Sequence, residues 1–131
     1  MQVDQNKSAI LIVDDEPVTQ LMIEMMLQRN NYKVIMAYNG EDALNHLADE
    51  TIDLVIADIN MPKMGGISLL REIRADERFQ SLPVIMLTAL GQRDIQQKAL
   101  SSGATGFLTK PISSNQLTSV IAKYLSPSVT Q

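Results

Sequence analysis

A chain of 131 residues with a formal charge of −4 and no cysteine has room for one domain with a sizeable core and not for two ordinary ones. It excludes disulfide frameworks, thiolate metal sites and cysteine nucleophiles, and its acidic balance argues against coating nucleic acid, which requires a basic face. With 45% apolar, 20% charged and 4% aromatic residues, it is globular in composition and leaves its interior to aliphatic side chains.

The polar start, residues 1–7, is expected to be a flexible N-terminus. No apolar stretch reaches the length of a signal-peptide core or a membrane span, so a cytoplasmic chain with no membrane partner is expected. The first strand runs from Ala9 to Val13, and Pro17 suits the first turn of the helix that follows, where its missing N–H is not needed. Val18, Leu21, Met22 and Met25 recur along that helix at helical spacing. Lys33 to Ala37 form the second strand, which leads through an Asn39-Gly40 turn to a helix bearing Ala43, Leu44, Leu47 and Ala48. Ile52 to Ala57 form the third strand, followed by a helix with Ile67, Leu70 and Ile73. After Pro83 comes the fourth strand, Val84 to Leu87, and then a helix anchored by Ile95, Ala99 and Leu100, which is expected to be the least firmly held. The fifth strand, Thr105 to Thr109, precedes a helix with Leu117, Val120, Ile121 and Tyr124 behind a Ser113 or Ser114 cap. Residues 126–131 read as a loose tail, leaving one domain over residues 8–125.

Strands this apolar are buried on both faces, as in a parallel sheet covered by helices. Their ends then share one edge, and ligands of open α/β sheets bind at the carboxyl edge. Asp14-Asp15, Asp58, Thr88 and Lys110 all stand at strand ends. Three carboxylates brought close together repel unless a cation neutralises them. Mg2+ fits, since it takes one or two carboxylates together with phosphate oxygens and retained waters. Asp58 would share itself between the metal and nucleophilic attack on phosphorus, while the Thr88 hydroxyl and Lys110 ammonium would neutralise the phosphoryl group in transfer.

These residues carry a resemblance. The segment Leu11-Ile12-Val13-Asp14-Asp15-Glu16, Asp58 within Asp58-Ile59-Asn60-Met61-Pro62-Lys63-Met64-Gly65-Gly66, Thr88-Ala89 and Lys110-Pro111 stand in the order and spacing of response regulator receiver domains. The resemblance spans roughly residues 8–125. It implies a flavodoxin-like, doubly wound (βα)5 fold, a five-stranded parallel sheet in the order 2-1-3-4-5 with helices on both faces. It implies that Asp58 accepts a phosphoryl group from a histidine kinase or histidine phosphotransfer protein. Asp15 and Asp58 would ligate Mg2+ directly and Asp14 through water, with the Asn60 carbonyl as a further ligand. Thr88 and Lys110 would bind phosphoryl oxygens, and Thr88 and Phe107 would be the switch residues through which the α4-β5-α5 face controls a downstream protein or output domain. The chain departs from the family pattern twice. Gly65 stands where a polar capping residue is common, and Phe107 lacks the hydroxyl of the commoner tyrosine.

Plainer readings exist for each residue. An Asp-Asp pair alone is more often a solvated loop or cap, Lys110 a surface lysine, Thr88 a strand-favouring residue and Phe107 plain core. The eight methionines are expected to fill core, His46 to be exposed and unpaired, and Gly65, Gly66 and Gly103 to be turn and helix-stop residues. Two other functions compete. An aspartate-nucleophile phosphatase of the haloacid-dehalogenase type needs Asp-x-Asp after the first strand and usually a cap insertion. A flavodoxin-like cofactor binder needs a Ser/Thr/Gly-rich loop there, where Asp14-Asp15-Glu16 would repel phosphate. Asn60 and Leu90, two residues beyond Asp58 and Thr88, are expected to flank the path of water to an acyl phosphate.

Overall fold

The computed structural model describes residues 7–61, 64–89 and 91–125. Its elements are β1 (Ala9–Val13), α1 (Pro17–Arg29), β2 (Lys33–Ala37), α2 (Gly40–Asp49), β3 (Leu54–Asp58), α3 (Gly66–Ala75), β4 (Val84–Thr88), α4 (Arg93–Ser101), β5 (Gly106–Thr109) and α5 (Ser114–Tyr124), with a short 3-10 helix at Glu77–Phe79. The strands are all parallel, in the order β2-β1-β3-β4-β5. Every connection is therefore a crossover, and every strand ends at the same edge. This is the flavodoxin-like order implied by the resemblance.

Residues β1, β3 and β4 are buried along their whole lengths, and alternation divides their side chains between two cores. Leu11, Val13, Val55, Ala57, Val84 and Met86 pack with residues of α2, α3 and α4. Ile10, Ile12, Leu54, Ile56, Ile85 and Leu87 pack with Ile23 and Leu27 of α1 and with Leu117 and Ile121 of α5. This division decides which way each residue beyond the strand ends is aimed.

Several expectations need correction. β3 opens at Leu54 and not Ile52, because the Asp53 carboxylate accepts the Ala9 N–H at 2.7 Å where a strand carbonyl would otherwise do so. Asn39-Gly40 is a helix start, with the Asn39 side chain accepting the Asp42 N–H at 2.9 Å. Gly65 and Gly66 are the N-cap and first residue of α3, and neither has a positive φ. Gly103, with φ of 108°, does stop a helix. Ser113 caps α5 by accepting the Gln116 N–H at 3.1 Å. His46 is not unpaired: its Nδ1 lies 2.6 Å from Glu50 and its Nε2 3.6 Å from Asp42.

The largest correction concerns α1. Its apolar row does not face the core: Val18 is 64% exposed, Leu21 55%, Met22 48% and Met25 53%. The buried row is Gln20, Ile23 and Leu27. Gln20 is buried with its amide satisfied by backbone: its Nε2 donates to Asp14 O at 2.7 Å and to Ala37 O at 2.8 Å, the latter also accepting the Asp14 N–H at 3.1 Å. Leu100, expected to anchor α4, is also exposed, and Ala99 is the buried residue of that helix. The expected loose ends, apart from Lys7, lie outside the described residues, as does Leu90.

Candidate functional site

Strand register sets the rows of the site. Val13 pairs with Ala57 and Asp58 with Leu87, so Asp14 is level with Asp58, and Asp15 and Thr88 stand one position beyond. Thr88 pairs with Thr109, which puts Lys110 one position further. Asp14, Asp58 and Lys110 share the parity of Ile12, Ile56 and Leu108, on the α1 and α5 side of the sheet. Thr88 has the parity of Met86, on the α4 side.

The contacts follow that parity. Lys110, joined to Pro111 by a cis peptide, donates from Nζ to Asp58 Oδ2 at 3.1 Å and lies 3.8 Å from Asp14 Oδ2. Asp58 Oδ1 accepts the Asn60 N–H at 3.1 Å, and Asp14 Oδ1 accepts the Glu16 N–H at 2.8 Å. Asp14, Asp15 and Asp58 each offer an oxygen within 4.8 Å of the others; Asp14 and Asp58 are buried and Asp15 is exposed.

This crowding perturbs the charges. Burial pushes the Asp14 carboxyl above the usual carboxylate range; the Glu16 N–H pulls it back and the charge of Asp58 adds to the rise. Burial also works against the Lys110 ammonium, but the hydrogen bond and charge of Asp58, with Asp14 and Glu16, outweigh it and hold Lys110 above the ordinary lysine value. Asp14 Oδ2 is buried and accepts no hydrogen bond from the described residues. An orphaned carboxylate oxygen beside two further carboxylates is a donor set that fits a hard divalent cation.

Not every expected residue joins this cluster. Thr88 is completely buried, and its Oγ1 accepts from Gln96 Nε2 at 3.2 Å. Phe107, paired in register with Met86, is 36% exposed and so is not core. Asn60 meets Asp58 through its backbone N–H. The sequence reading missed Gln20 and Gln96 and took Gly66 only for a turn residue. Gln20 had a signal, since it falls in helical register with Ile23 and Leu27. Gly66 had a weaker one, in its place after an expected loop. Gln96, a polar residue on a polar helix, had none.

Comparison with known proteins agrees with this arrangement. Residues 10–122 match the family described as the response regulator receiver domain. The response regulator Rre1 of Synechocystis sp. is 35% identical over 119 residues, 90% of this chain and 52% of the relative, so the chain spans about half of that protein's length. The structure of the chemotaxis response regulator CheY4 of Vibrio cholerae is similar at a TM-score of 0.86 and 30% identity, covering 92% of this chain and 100% of that one. The receiver domain of the sensor histidine kinase PA1611 of Pseudomonas aeruginosa PAO1, described with a magnesium ion coordinated in its active-site cleft, is similar at a TM-score of 0.84 and 31% identity, covering 90% and 97%. With the family matched across nearly its whole length and the fold shared, the chain belongs to the receiver domains of two-component response regulators and is a phosphoacceptor signalling domain.

Proposed function

We propose that Asp58 is the phosphoacceptor and takes its phosphoryl group, in a Mg2+-dependent reaction, from the phosphohistidine of a histidine kinase or histidine phosphotransfer protein. The observation that carries this reading is the Lys110 ammonium held 3.1 Å from Asp58 Oδ2 and beside Asp14. A carboxylate oxygen of Asp58 attacks phosphorus, the P–N bond breaks, and the imidazole nitrogen keeps the electron pair, leaving an acyl phosphate. Lys110 stands where a phosphoryl oxygen would arrive, and the Thr88 hydroxyl would donate to another. Asp15, Asp58 and the Asn60 carbonyl would hold Mg2+ directly and Asp14 through water. The ion would supply charge neutralisation for carboxylates and phosphoryl oxygens, and magnesium in the cleft of the PA1611 receiver supports that choice.

The acyl phosphate is itself the output, so the domain acts as a switch and not as a turnover enzyme. Its readout would be the face of α4, β5 and α5, with Phe107 on β5 and Thr88 buried beside it at the end of β4, presented to a downstream protein or output domain. The exposed row Val18, Leu21, Met22 and Met25 begins three residues after Asp15 in the chain. An apolar face bordering the site suits the phosphodonor, which must bring its histidine to Asp58. The phosphatase alternative is disfavoured by adjacent acids after β1 where Asp-x-Asp is needed.

Incubation with acetyl phosphate tests the reading. One phosphoryl group should appear on Asp58 with Mg2+ and be lost with a chelator or in Asp58→Asn. Acid-stable label, or label that persists in the Asn variant, would overturn it in favour of a serine or threonine site.

A further inference from the structure

We infer that Gln96 is a positioning residue that ties α4 to Thr88 and carries phosphorylation of Asp58 into that helix; the inference rests on the proposed phosphoacceptor role. Gln96 Nε2 donates to Thr88 Oγ1 at 3.2 Å, and Thr88 is completely buried at the end of β4. Accepting that bond leaves the hydroxyl proton free to donate elsewhere. A phosphoryl oxygen on Asp58 would take it, completing a chain from the Gln96 N–H through the Thr88 O–H to phosphate. Donation to a charged oxygen polarises the hydroxyl and strengthens the bond it accepts. Gln96 therefore follows Thr88 and does not release it.

The ends of α4 differ in a way that turns this pull into movement. Beyond the C-terminus, Arg74 Nε donates to Gly103 O at 2.8 Å, while its other nitrogens reach Phe79 O at 2.8 Å and Thr105 Oγ1 at 3.3 Å. Thr105 Oγ1 also accepts the Val84 N–H at 2.9 Å, so this end is stitched to α3 and to the start of β4. Ala99, buried, lies at the same end. At the N-terminus, Gln92 makes no side-chain cap, and its Oε1 is buried without a hydrogen bond from the described residues. The helix is thus fixed at the end away from the carboxylates and held near them through Gln96. A shift of the Thr88 oxygen becomes a tilt of α4.

The experiment is a titration of the full chain with beryllofluoride and Mg2+, read by amide chemical shifts at Asp58 to Asn60 and separately at Arg93 to Ser101. In the parent both groups should shift together. In Gln96→Leu the site should still saturate, within about threefold of the parental concentration, because the bond is present with and without the mimic and only its strengthening is lost, while the α4 shifts collapse. Gln96→Glu cannot donate and competes for the Thr88 proton, so it should weaken binding further. Gln97→Leu, an exposed position of the same helix, should behave as the parent. Parental α4 shifts in Gln96→Leu overturn the inference and leave Asp58 untouched as phosphoacceptor. A parent whose Asp58 to Asn60 amides ignore the mimic overturns both. If Gln96→Leu loses helix structure before titration, Gln96→Glu decides: parental affinity and parental α4 shifts there overturn the inference.

Discussion

Lys110 Nζ and Asp58 Oδ2 meet at 3.1 Å across 52 residues of sequence. The pairing follows from sheet parity, since both residues project towards the α1 and α5 side, and it gives the acidic cluster its one close ammonium among the described residues. Lys110→Met is expected to slow labelling of Asp58 by acetyl phosphate about 100-fold or more, the usual loss when a preorganised charge partner is removed. Time courses at saturating Mg2+ would measure this. A rate within a few-fold of the parent would place the ammonium outside the reaction.

Asp14 presents the opposite case, a carboxylate whose Oδ2 is buried without a hydrogen-bond donor. Burial and the Asp58 charge both disfavour its ionised form. Asp14→Asn is expected to raise stability without Mg2+ by about 1 kcal/mol, because it removes a buried charge that the Glu16 N–H and the Lys110 ammonium at 3.8 Å only partly offset. It should also weaken the stabilisation that Mg2+ gives the parent, which reaches about 2.7 kcal/mol at an ion concentration 100 times Kd. Thermal unfolding with and without Mg2+ reads both changes. A less stable metal-free variant would contradict the account of the orphaned oxygen.

The two rows of α1 make a paired test. Leu21→Arg and Met25→Arg alter exposed side chains and should change stability by no more than about 0.5 kcal/mol. Acetyl phosphate should label them normally, while transfer from a phosphohistidine protein should fall about tenfold or more, as for loss of central contacts in an interface. Gln20→Leu should do the reverse in stability. It strips the side-chain donor from the buried Asp14 O and one of two donors from Ala37 O, which keeps the Asp14 N–H, at a cost of about 1–3 kcal/mol. Equal effects on the two phosphodonors would remove the exposed row from docking.

Strand composition and the polar residues at strand ends made the sheet and its acidic edge legible in the sequence, because a buried parallel strand needs an unbroken apolar run. Which side of α1 faces inward was not legible. Val18, Leu21, Met22 and Met25 have the period and chemistry of a core row, and a surface built to meet another protein uses the same side chains. The buried row contained a glutamine, whose amide meets the carbonyls of Asp14, just past β1, and of Ala37 in β2, which sequence does not bring together. The place of Thr88 at a strand end was legible but not its direction. Its parity places it towards α4, and its partner Gln96 looks like any solvated helix residue until the register is known.

Gly65 and Gly66 are adjacent, yet the structure assigns them different constraints. A Cβ on Gly66 would lie 2.5 Å from Asp58 O, 2.6 Å from Ile59 Cα and 2.8 Å from Met86 Cε. The methionine end can move, but the other two atoms are backbone, so the segment holding Asp58 must shift. Gly66→Ala is expected to cost about 1–3 kcal/mol as overpacking and to slow phosphorylation of Asp58. A Cβ on Gly65 would meet nothing nearer than Ile59 O at 3.6 Å, an ordinary contact, and this N-cap makes no side-chain hydrogen bond. Gly65→Ser should therefore stabilise the protein by a few tenths of a kcal/mol, roughly the difference between a glycine and a serine cap. Urea unfolding would show the two midpoints moving in opposite directions at constant slope. A Gly66→Ala protein as stable as the parent would refute the close approach of α3 to the Asp58 backbone.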